Sequence, residues 1–471
     1  MTFLARHRRK LWALCVLAAA LTAAHVGVGL SARLETPRVA LPPGDAVRVS
    51  AALRRFGASA VFERGQILEV YLRGEPSQIG YAHARLLYPE MVENEGILLA
   101  RFRQQVPSTP LRGLLLDLAE LRYRHVARAM SPERRAEIAA GSLGFRPDPY
   151  SDVFPTYQRF VYLNALYDIA LSFEHSPLIG CTTFTFDANA TGTSGGLLAR
   201  AFDFEVDEIF DRKKAVFFVR ENGKIPFASV AWPGLVGVVS GMNAEGVAVV
   251  VHGARAGSPR AEGEPVVHEL RRVLSSAKSL EDAERMLAEN PPMVSHIVIV
   301  TDGTGRSAAI ERVPGSADFI RPLESKAVTT NHLEGPNASD AKNLHVRART
   351  STLARRARGQ ELLAALPPRV SVADAVACLR DRTGAQGRNL PLGDRNAINA
   401  LIATHGVVMD TARRVLWVSE SPHLLGRFVA FDLTTMLAAD YAPESSEAPR
   451  FIEADPLLTS GEYQRFRKSR R

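Results

Sequence analysis

The ten residues PLIGCTTFTF, positions 177–186, join a helical half of the chain to a strand-rich half, and at their centre a cysteine follows a glycine. From Thr183 to Phe186 hydroxyl and aromatic side chains alternate, as on a strand with two unlike faces. An unpaired cysteine is most often only a small buried hydrophobe. Cutting the bond before it would change its chemistry. The freed α-amine has a reference pKa of about 8 and the thiol one of about 8.5, so the amine can take the thiol proton. One residue then serves as nucleophile and base. Gly180 suits such a cut, because a backbone without Cβ bends easily enough for the sulfur to reach the preceding carbonyl.

Upstream of this stretch the pattern is helical. PSQIGYAHARLLYPEMVENEGILLARFRQQV carries apolar residues at helical spacing, and LRGLLLDLAELRYRHVARAM does the same. SPERRAEIAAGSLGF opens with Ser131 and Pro132 in helix-starting positions, and QRFVYLNALYDIALSF reads as a further helix. ILEVYLRG is the one strand expected before Cys181. Residues 31–60 lack periodicity and read as a linker, with the folded part beginning near Val61.

Downstream come the short runs TTFTFD, GLLARAFDF, AVFFVREN, IPFASVAW, LVGVVSGMN and GVAVVVHG, separated by Gly, Asn and Asp as antiparallel strands require. Asn243 and Gly246 read as a tight connection between two of them. Helices around VVHELRRVLSSA and SLEDAERMLAEN interrupt the series, and strands resume at HIVIVTD, SAAIERV and KAVTTNH. A helix over Thr350 to Leu366, another around Ala373 to Leu379, and strands at GVVMD, RVLWVS and RFVAFDL follow. Runs of strands broken by runs of helices predict helices layered on stacked sheets.

The chain has 471 residues, 46% hydrophobic and 23% charged, the composition of an ordinary globular protein and not of a disordered one. Its net charge of +8 is scattered, without a basic groove interleaved with aromatics, which argues against a nucleic-acid partner. MTFLARHRRK followed by LWALCVLAAALTAAHVGVGL has the form of an export signal or a membrane anchor through residues 11–30. Arg8 and Arg9 ahead of that run suggest twin-arginine export. Export would place the protein in the periplasm or outside the cell. Cys15 belongs to the apolar run, leaving Cys181 and Cys378 to form a disulfide or to stay as free thiols.

GCTTF, then RAFDF, GMNAEGVAV, TTNH, a Ser/Thr-Arg helix and HGVVMDTARRVLWVS together resemble the cysteine N-terminal nucleophile hydrolases. The resemblance is nearest to the autoproteolytic acyltransferases and hydrolases of the isopenicillin N acyltransferase type. Choloylglycine hydrolases and penicillin V acylases are more distant. GEPSQIGYAHARLL, AEIAAGSLGF and LNALYD resemble that group's pro-segment, so the likeness covers roughly residues 61–435.

The resemblance implies an α+β fold of four layers, αββα, with a mainly helical pro-segment over 61–180, a catalytic core over 181–435 and a C-terminal tail over 436–471. It implies cleavage between Gly180 and Cys181, after which the pro-segment should stay bound as a non-covalent subunit, because its amphipathic helices have nowhere else to bury their apolar faces. Cys181 is the implied nucleophile. Arg200 and Asp203 match paired strand residues able to hold amine and thiol in register, and Asn331 matches an asparagine near the reacting carbonyl, fit for an oxyanion or orienting role. Arg355 matches a later arginine, with Arg356 its neighbouring alternative. Where bile-salt and penicillin V relatives carry an asparagine, this chain has His252 and Gly253, which become the candidate oxyanion donors.

Thus the chain reads as an enzyme forming a thioester on Cys181 from the linear amide of an N-acylated small molecule. His332 and His405 read as structural, since the amine already supplies a base. An unprocessed hydrolase with His252 or His332 as base, and a membrane-attached binding protein with an idle thiol, are the alternatives. No metal-ligand spacing, Walker loop or dinucleotide glycine loop is present, so no cofactor is expected.

Overall fold

The computed structural model describes residues 2–173, 180–204, 207–445 and 448–470. Pro177, Leu178 and Ile179 of the opening stretch therefore lie outside the described residues. Within them, the strands assemble into two sheets. The larger runs in the order 47–48, 53–56, 59–64, 67–74, 215–221, 227–231, 240–243, 248–253, 296–301, 307–312 and 319–322. The smaller runs 326–329, 180–186, 197–203, 403–410, 415–419, 428–432 and 451–452.

The two sheets face each other across a shared core in which Leu198, Val407, Met409 and Leu416 meet Val216, Phe218, Val250 and Ile299. Alternate residues of the same strands point the other way. Phe217, Val249 and Val298 pack beneath helices carrying Ile79, Ile138, Val161, Leu270 and Leu287. Phe184, Ala199 and Val408 pack beneath Leu363, Val376 and Leu379. That is the αββα arrangement. Strands covered on both faces explain the unbroken apolar runs AVFFV and AVVV, since neither face needs a polar residue.

Three expectations are corrected. The segment 31–60 is more than a linker: Leu53–Phe56 pairs with Ser59–Arg64, Ala32 is buried, and Leu34 N donates to Gln158 Oε1 at 3.1 Å. The N-terminal part is mainly helical, as expected, but among the described residues ILEVYLRG is one of four strands there and not the one strand expected. Its strand Ile67–Gly74 lies parallel to Ala215–Glu221 along its length, which extends the core sheet by four strands. The residues after 435 are docked, with Phe451–Ile452 pairing onto Phe428–Asp432 and Tyr463 buried against Leu401, Leu425 and Leu457.

The connection at Asn243 forms as read. Asn243 Oδ1 accepts from the backbone N–H groups of Glu245 and Val247, and Gly246 adopts φ +86°, which glycine tolerates without strain. QRFVYLNALYDIALSF is not one helix but two, Thr156–Asn164 and Leu166–Leu171, broken at Ala165. At the N-terminus, Lys10–Ser31 is helical, exposed, and long and apolar enough to cross a membrane, which suits a signal sequence and an anchor alike.

Candidate active site

The strand Gly180–Phe186 lies between Lys326–Thr329 and Leu197–Asp203. The antiparallel register sets Gly180 opposite Asp203, Cys181 opposite Phe202, and Thr183 opposite Arg200. Residues two apart share a face. The register therefore puts the sequence-expected arginine on the face of the cysteine and sets the carboxylate across from Gly180, one residue before it and on the other face. Asn331 comes two residues after the strand Lys326–Thr329, and Arg355 reaches in from the helix Thr352–Ala365.

Each heteroatom of Cys181 has a partner. Its backbone N–H donates to Asn331 Oδ1 at 2.7 Å, its carbonyl accepts from Arg355 Nη1, and its Sγ lies 3.3 Å from Arg200 Nη2 and 3.8 Å from the Val251 carbonyl. Arg355 Nη1 also donates to Thr182 Oγ1 at 2.8 Å and Nη2 to Asn331 Oδ1 at 2.9 Å. Two donors converge on Asn331 Oδ1, which fixes the amide orientation and turns Nδ2 to the Gly253 carbonyl at 3.0 Å. Asn331 thus presents its oxygen to residue 181. The geometry fits an orienting role and commits one of the two amide hydrogens to the Gly253 carbonyl.

Arg200 spans the two sheets. From the smaller sheet it donates to the Val239 carbonyl at 2.7 Å, to Ser240 Oγ and to the Val251 carbonyl at 2.6 Å, all on the larger one. Its guanidinium stacks over Phe202, 4.1 Å from the ring centroid. A fully buried cation held this way is a fixed positive charge beside the sulfur. Burial pushes the Cys181 thiol above its ordinary value, and Arg200 opposes that shift without cancelling it. Asp203 is pushed up to about 6 by burial, against the pull of Arg355, Arg395 and Arg200. Its Oδ1 is buried with no hydrogen-bond partner among the described residues.

The candidate oxyanion donor His252 is occupied. Its Nδ1 lies 3.2 Å from the Thr330 carbonyl, which can only accept, so Nδ1 carries the proton and Nε2 accepts from Thr183 Oγ1 at 2.7 Å. Burial and Arg200 hold its pKa well below the ordinary range. Such a ring has no free N–H to offer. His332 contacts the hydroxyls of Thr330 and Thr352 through Nδ1, at 3.2 and 3.0 Å, and burial lowers it to about 4. His405 Nε2 sits 2.9 Å from Ser240 Oγ. Among the described residues, none of the three histidines hydrogen-bonds to Cys181 Sγ.

Arg356 turns away from the site, to the Val328 carbonyl and Glu334, so Arg355 is the arginine that reaches the cysteine. The possible Cys181–Cys378 disulfide is absent: both are free thiols in separate core clusters. Thr182, Ser240, Thr352 and the Val251 carbonyl were not singled out in sequence. Among the described residues no group of three or more His, Cys, Asp or Glu is placed to hold a metal ion.

Beside Arg200 an apolar cavity of about 130 Å³ opens between the halves of the chain. Leu98, Leu163 and Tyr167 line it from the N-terminal side, and Phe202, Trp232 and Val239 from the core.

Residues 190–396 match the family described as acyl-coenzyme A:6-aminopenicillanic acid acyl-transferase. The match includes Arg200, Asp203, Asn331 and Arg355 and begins just after Cys181. An uncharacterized protein of Archaeoglobus fulgidus is 28% identical over 262 residues, which are 53% of this chain and 43% of that one. The chain thus spans under half the length of this relative. Three solved structures are similar at low overlap. A Caenorhabditis elegans N-acylethanolamine-hydrolyzing acid amidase ortholog is 17% identical, with TM-score 0.38 over 49% of this chain and 93% of that one. The penicillin V acylase of Agrobacterium tumefaciens is 17% identical, with TM-score 0.36 over 54% and 91%. A conjugated bile acid hydrolase of Clostridium perfringens is 11% identical, with TM-score 0.39 over 58% and 97%. The family match over residues 190–396 bears out the resemblance read in the sequence.

Proposed function

We propose that this chain, whose residues 190–396 carry the acyl-transferase family match, is a self-cleaving cysteine amidohydrolase or acyltransferase with Cys181 as nucleophile. The observation that carries the reading is the clamping of residue 181 at nitrogen, carbonyl and sulfur by Asn331, Arg355 and Arg200. Any buried N–H and carbonyl need partners, but a merely packed cysteine needs no guanidinium at its sulfur. In the intact chain Sγ attacks the Gly180 carbonyl, the C–N bond breaks, and water hydrolyses the resulting thioester, leaving a carboxylate on Gly180 and a free amine on Cys181. The nitrogen that becomes the base already faces Asn331 Oδ1, and Asp203, across the ladder, is the carboxylate available to hold it as ammonium.

In turnover the Cys181 thiolate attacks the carbonyl of a linear amide, and the departing amine takes the proton held by the α-amine. Water or a second amine then receives the acyl group. The apolar cavity suits a hydrophobic acyl chain. The N-terminal part stays bound after cleavage, because Ile67–Gly74 is a strand of the core sheet and cannot leave without exposing a long edge. The apolar Lys10–Ser31 helix supports export to the periplasm or beyond, with attachment to the membrane if it is retained.

Intact mass of the purified protein tests this directly. Two pieces divided after Gly180 are expected from wild type and one piece from Cys181→Ala. A whole, active wild-type chain would remove the proposal. Iodoacetamide should label Cys181 of the processed protein and spare Cys378, whose thiol burial raises to about 12.

A further inference from the structure

Tyr167 lies on the far side of the proposed cleavage point from Cys181, yet its side chain lines the cavity that Phe202 and Val239 line from the core. Those two residues are the immediate neighbours of the Arg200 guanidinium, which stacks on Phe202 and donates to the Val239 carbonyl at 2.7 Å. The phenol oxygen is buried and has no hydrogen-bond partner among the described residues. Cys181 and Arg200 are both near enough to act on it electrostatically, and burial keeps its proton in place. Leaving a buried hydroxyl unpaired costs stability, so a donor held in this position invites an acceptor from elsewhere.

The other polar groups around the cavity are committed or of the wrong kind. Trp232 Nε1 donates to the Phe210 carbonyl at 2.6 Å, Asn164 is bonded through both ends of its amide, and Glu95 is paired with Arg159. Asn94 Oδ1 also lacks a partner among the described residues, but it only accepts. His252, one of the side chains expected to serve a developing oxyanion, is engaged through both ring nitrogens, and Asn331 has one of its two amide hydrogens on the Gly253 carbonyl.

Resting on the proposed acyl transfer, we infer that Tyr167 is a catalytic residue whose phenol, supplied by the N-terminal part, donates a hydrogen bond to the substrate carbonyl oxygen beside Cys181. As Sγ bonds to the carbonyl carbon, the π electrons move onto that oxygen and the O–H of Tyr167 steadies the charge. When the C–N bond breaks, the electrons return, the carbonyl re-forms, and the amine leaves with a proton from the Cys181 ammonium. The phenol keeps its own proton throughout. Asp168 holds this helical turn in place, its Oδ2 accepting from the Val266 N–H at 3.1 Å. A site of this kind is incomplete without the cleaved segment, which gives its retention a catalytic reason.

Tyr167→Phe in the full chain tests the inference, with a linear alkanoyl p-nitroanilide as probe. Self-cleavage should proceed, KM should stay within about threefold, and kcat should fall about a hundredfold or more, the usual effect of losing one oxyanion donor. Thermal midpoint should hold or rise, since an unpartnered hydroxyl is removed, whereas a structural hydroxyl would lower it. In the trapped acyl-enzyme the thioester carbonyl stretch should move to higher frequency in Tyr167→Phe. Turnover within about threefold of wild type, or an unshifted carbonyl stretch, overturns the role of Tyr167 while leaving the proposed function standing. A wild-type protein that forms no thioester overturns both. Should the phenylalanine variant cleave poorly, 3-fluorotyrosine at the same position, which keeps the donor, must restore kcat.

Discussion

Gly180 sits directly across the ladder from Asp203, in a gap where a side chain would press on the carboxylate: a Cβ built on Gly180 would lie 3.1 Å from Asp203 Cβ and 3.3 Å from its Oδ2. The glycine of the Gly-Cys pair therefore does two things. It frees the backbone ahead of the sulfur, and it admits the carboxylate to the bond that is to break. Gly180→Ala should push Asp203 out of position and slow self-cleavage about tenfold, the kinetic equivalent of the lower end of an overpacking penalty. Gly180→Val should slow it further. The fraction of intact chain on a denaturing gel over time measures this, and cleavage of Gly180→Val at the wild-type rate would remove the steric argument.

The carboxylate of Asp203 gives a pH signature. In the fold its pKa is raised to about 6, from an ordinary value of 3.8, with burial the leading cause. If its charge holds the Cys181 ammonium, turnover by the processed enzyme should decline as pH falls through about 6. Stability moves oppositely. A raised carboxyl pKa means the folded state binds the proton more tightly than the unfolded one, so the contribution is complete below 3.8 and is lost as pH rises through 6. Asp203→Asn should therefore abolish activity while stabilising the protein at pH 7 by on the order of 3 kcal/mol and not at pH 3.5. Urea midpoints at the two pH values check it, and equal effects at both would contradict the assignment.

Much of this arrangement was legible in the sequence, for reasons particular residues show. An arginine inside the apolar run GLLARAFDF is costly unless something inside needs it, and Arg200 is indeed buried against the sulfur. Asn331 and Arg355 were found through the order of short motifs. What escaped detection depends on how the sheets meet. The carbonyls of Val239 and Val251 matter only because the larger sheet slides them beneath Arg200, and a backbone carbonyl leaves no mark in a sequence. Leu53–Phe56 escaped for another reason. Its LRRF pattern carries two half-exposed arginines near a sheet edge, where alternation is weak and pairing, not hydrophobicity, makes the strand.

Arg355 and Arg356 are adjacent and should separate cleanly by mutation. Arg355 is buried and bonds to the Cys181 carbonyl, Thr182 and Asn331, whereas Arg356 sits near the surface beside Glu334. Lysine cannot reproduce a planar fork that reaches three acceptors in fixed directions. Arg355→Lys should therefore slow self-cleavage at least a hundredfold, and Arg356→Ala should leave it within about threefold, as is usual for the loss of a surface ion pair. Time courses of the two single variants decide the matter, and the reverse ranking would exchange the residues' roles.

The two halves divided by the proposed cut share one buried charge network, and it should govern whether they stay together. Arg134 and Glu137 come from the helix Pro132–Gly144, Glu221 from the strand Ala215–Glu221, and Arg271 from the helix Val266–Ser276. Arg134 bridges both glutamates, and Arg271 donates to Glu137 at 2.9 Å and lies 3.3 Å from Glu221. Two positive and two negative charges balance, all nine-tenths buried or more. Removing one partner leaves a buried cation unmatched, which costs about 3–5 kcal/mol, whereas replacing a whole pair by apolar residues of similar volume is nearly neutral. In processed protein Glu137→Ala should therefore lower the urea concentration at which the fragments separate on size exclusion. The double change Arg134→Met with Glu137→Leu leaves Arg271 facing Glu221 and should recover most of that loss. Co-elution of the Glu137→Ala fragments up to the wild-type urea concentration would show that the shared strand pairing of Ile67–Gly74 with Ala215–Glu221 holds the halves together without help from these charges.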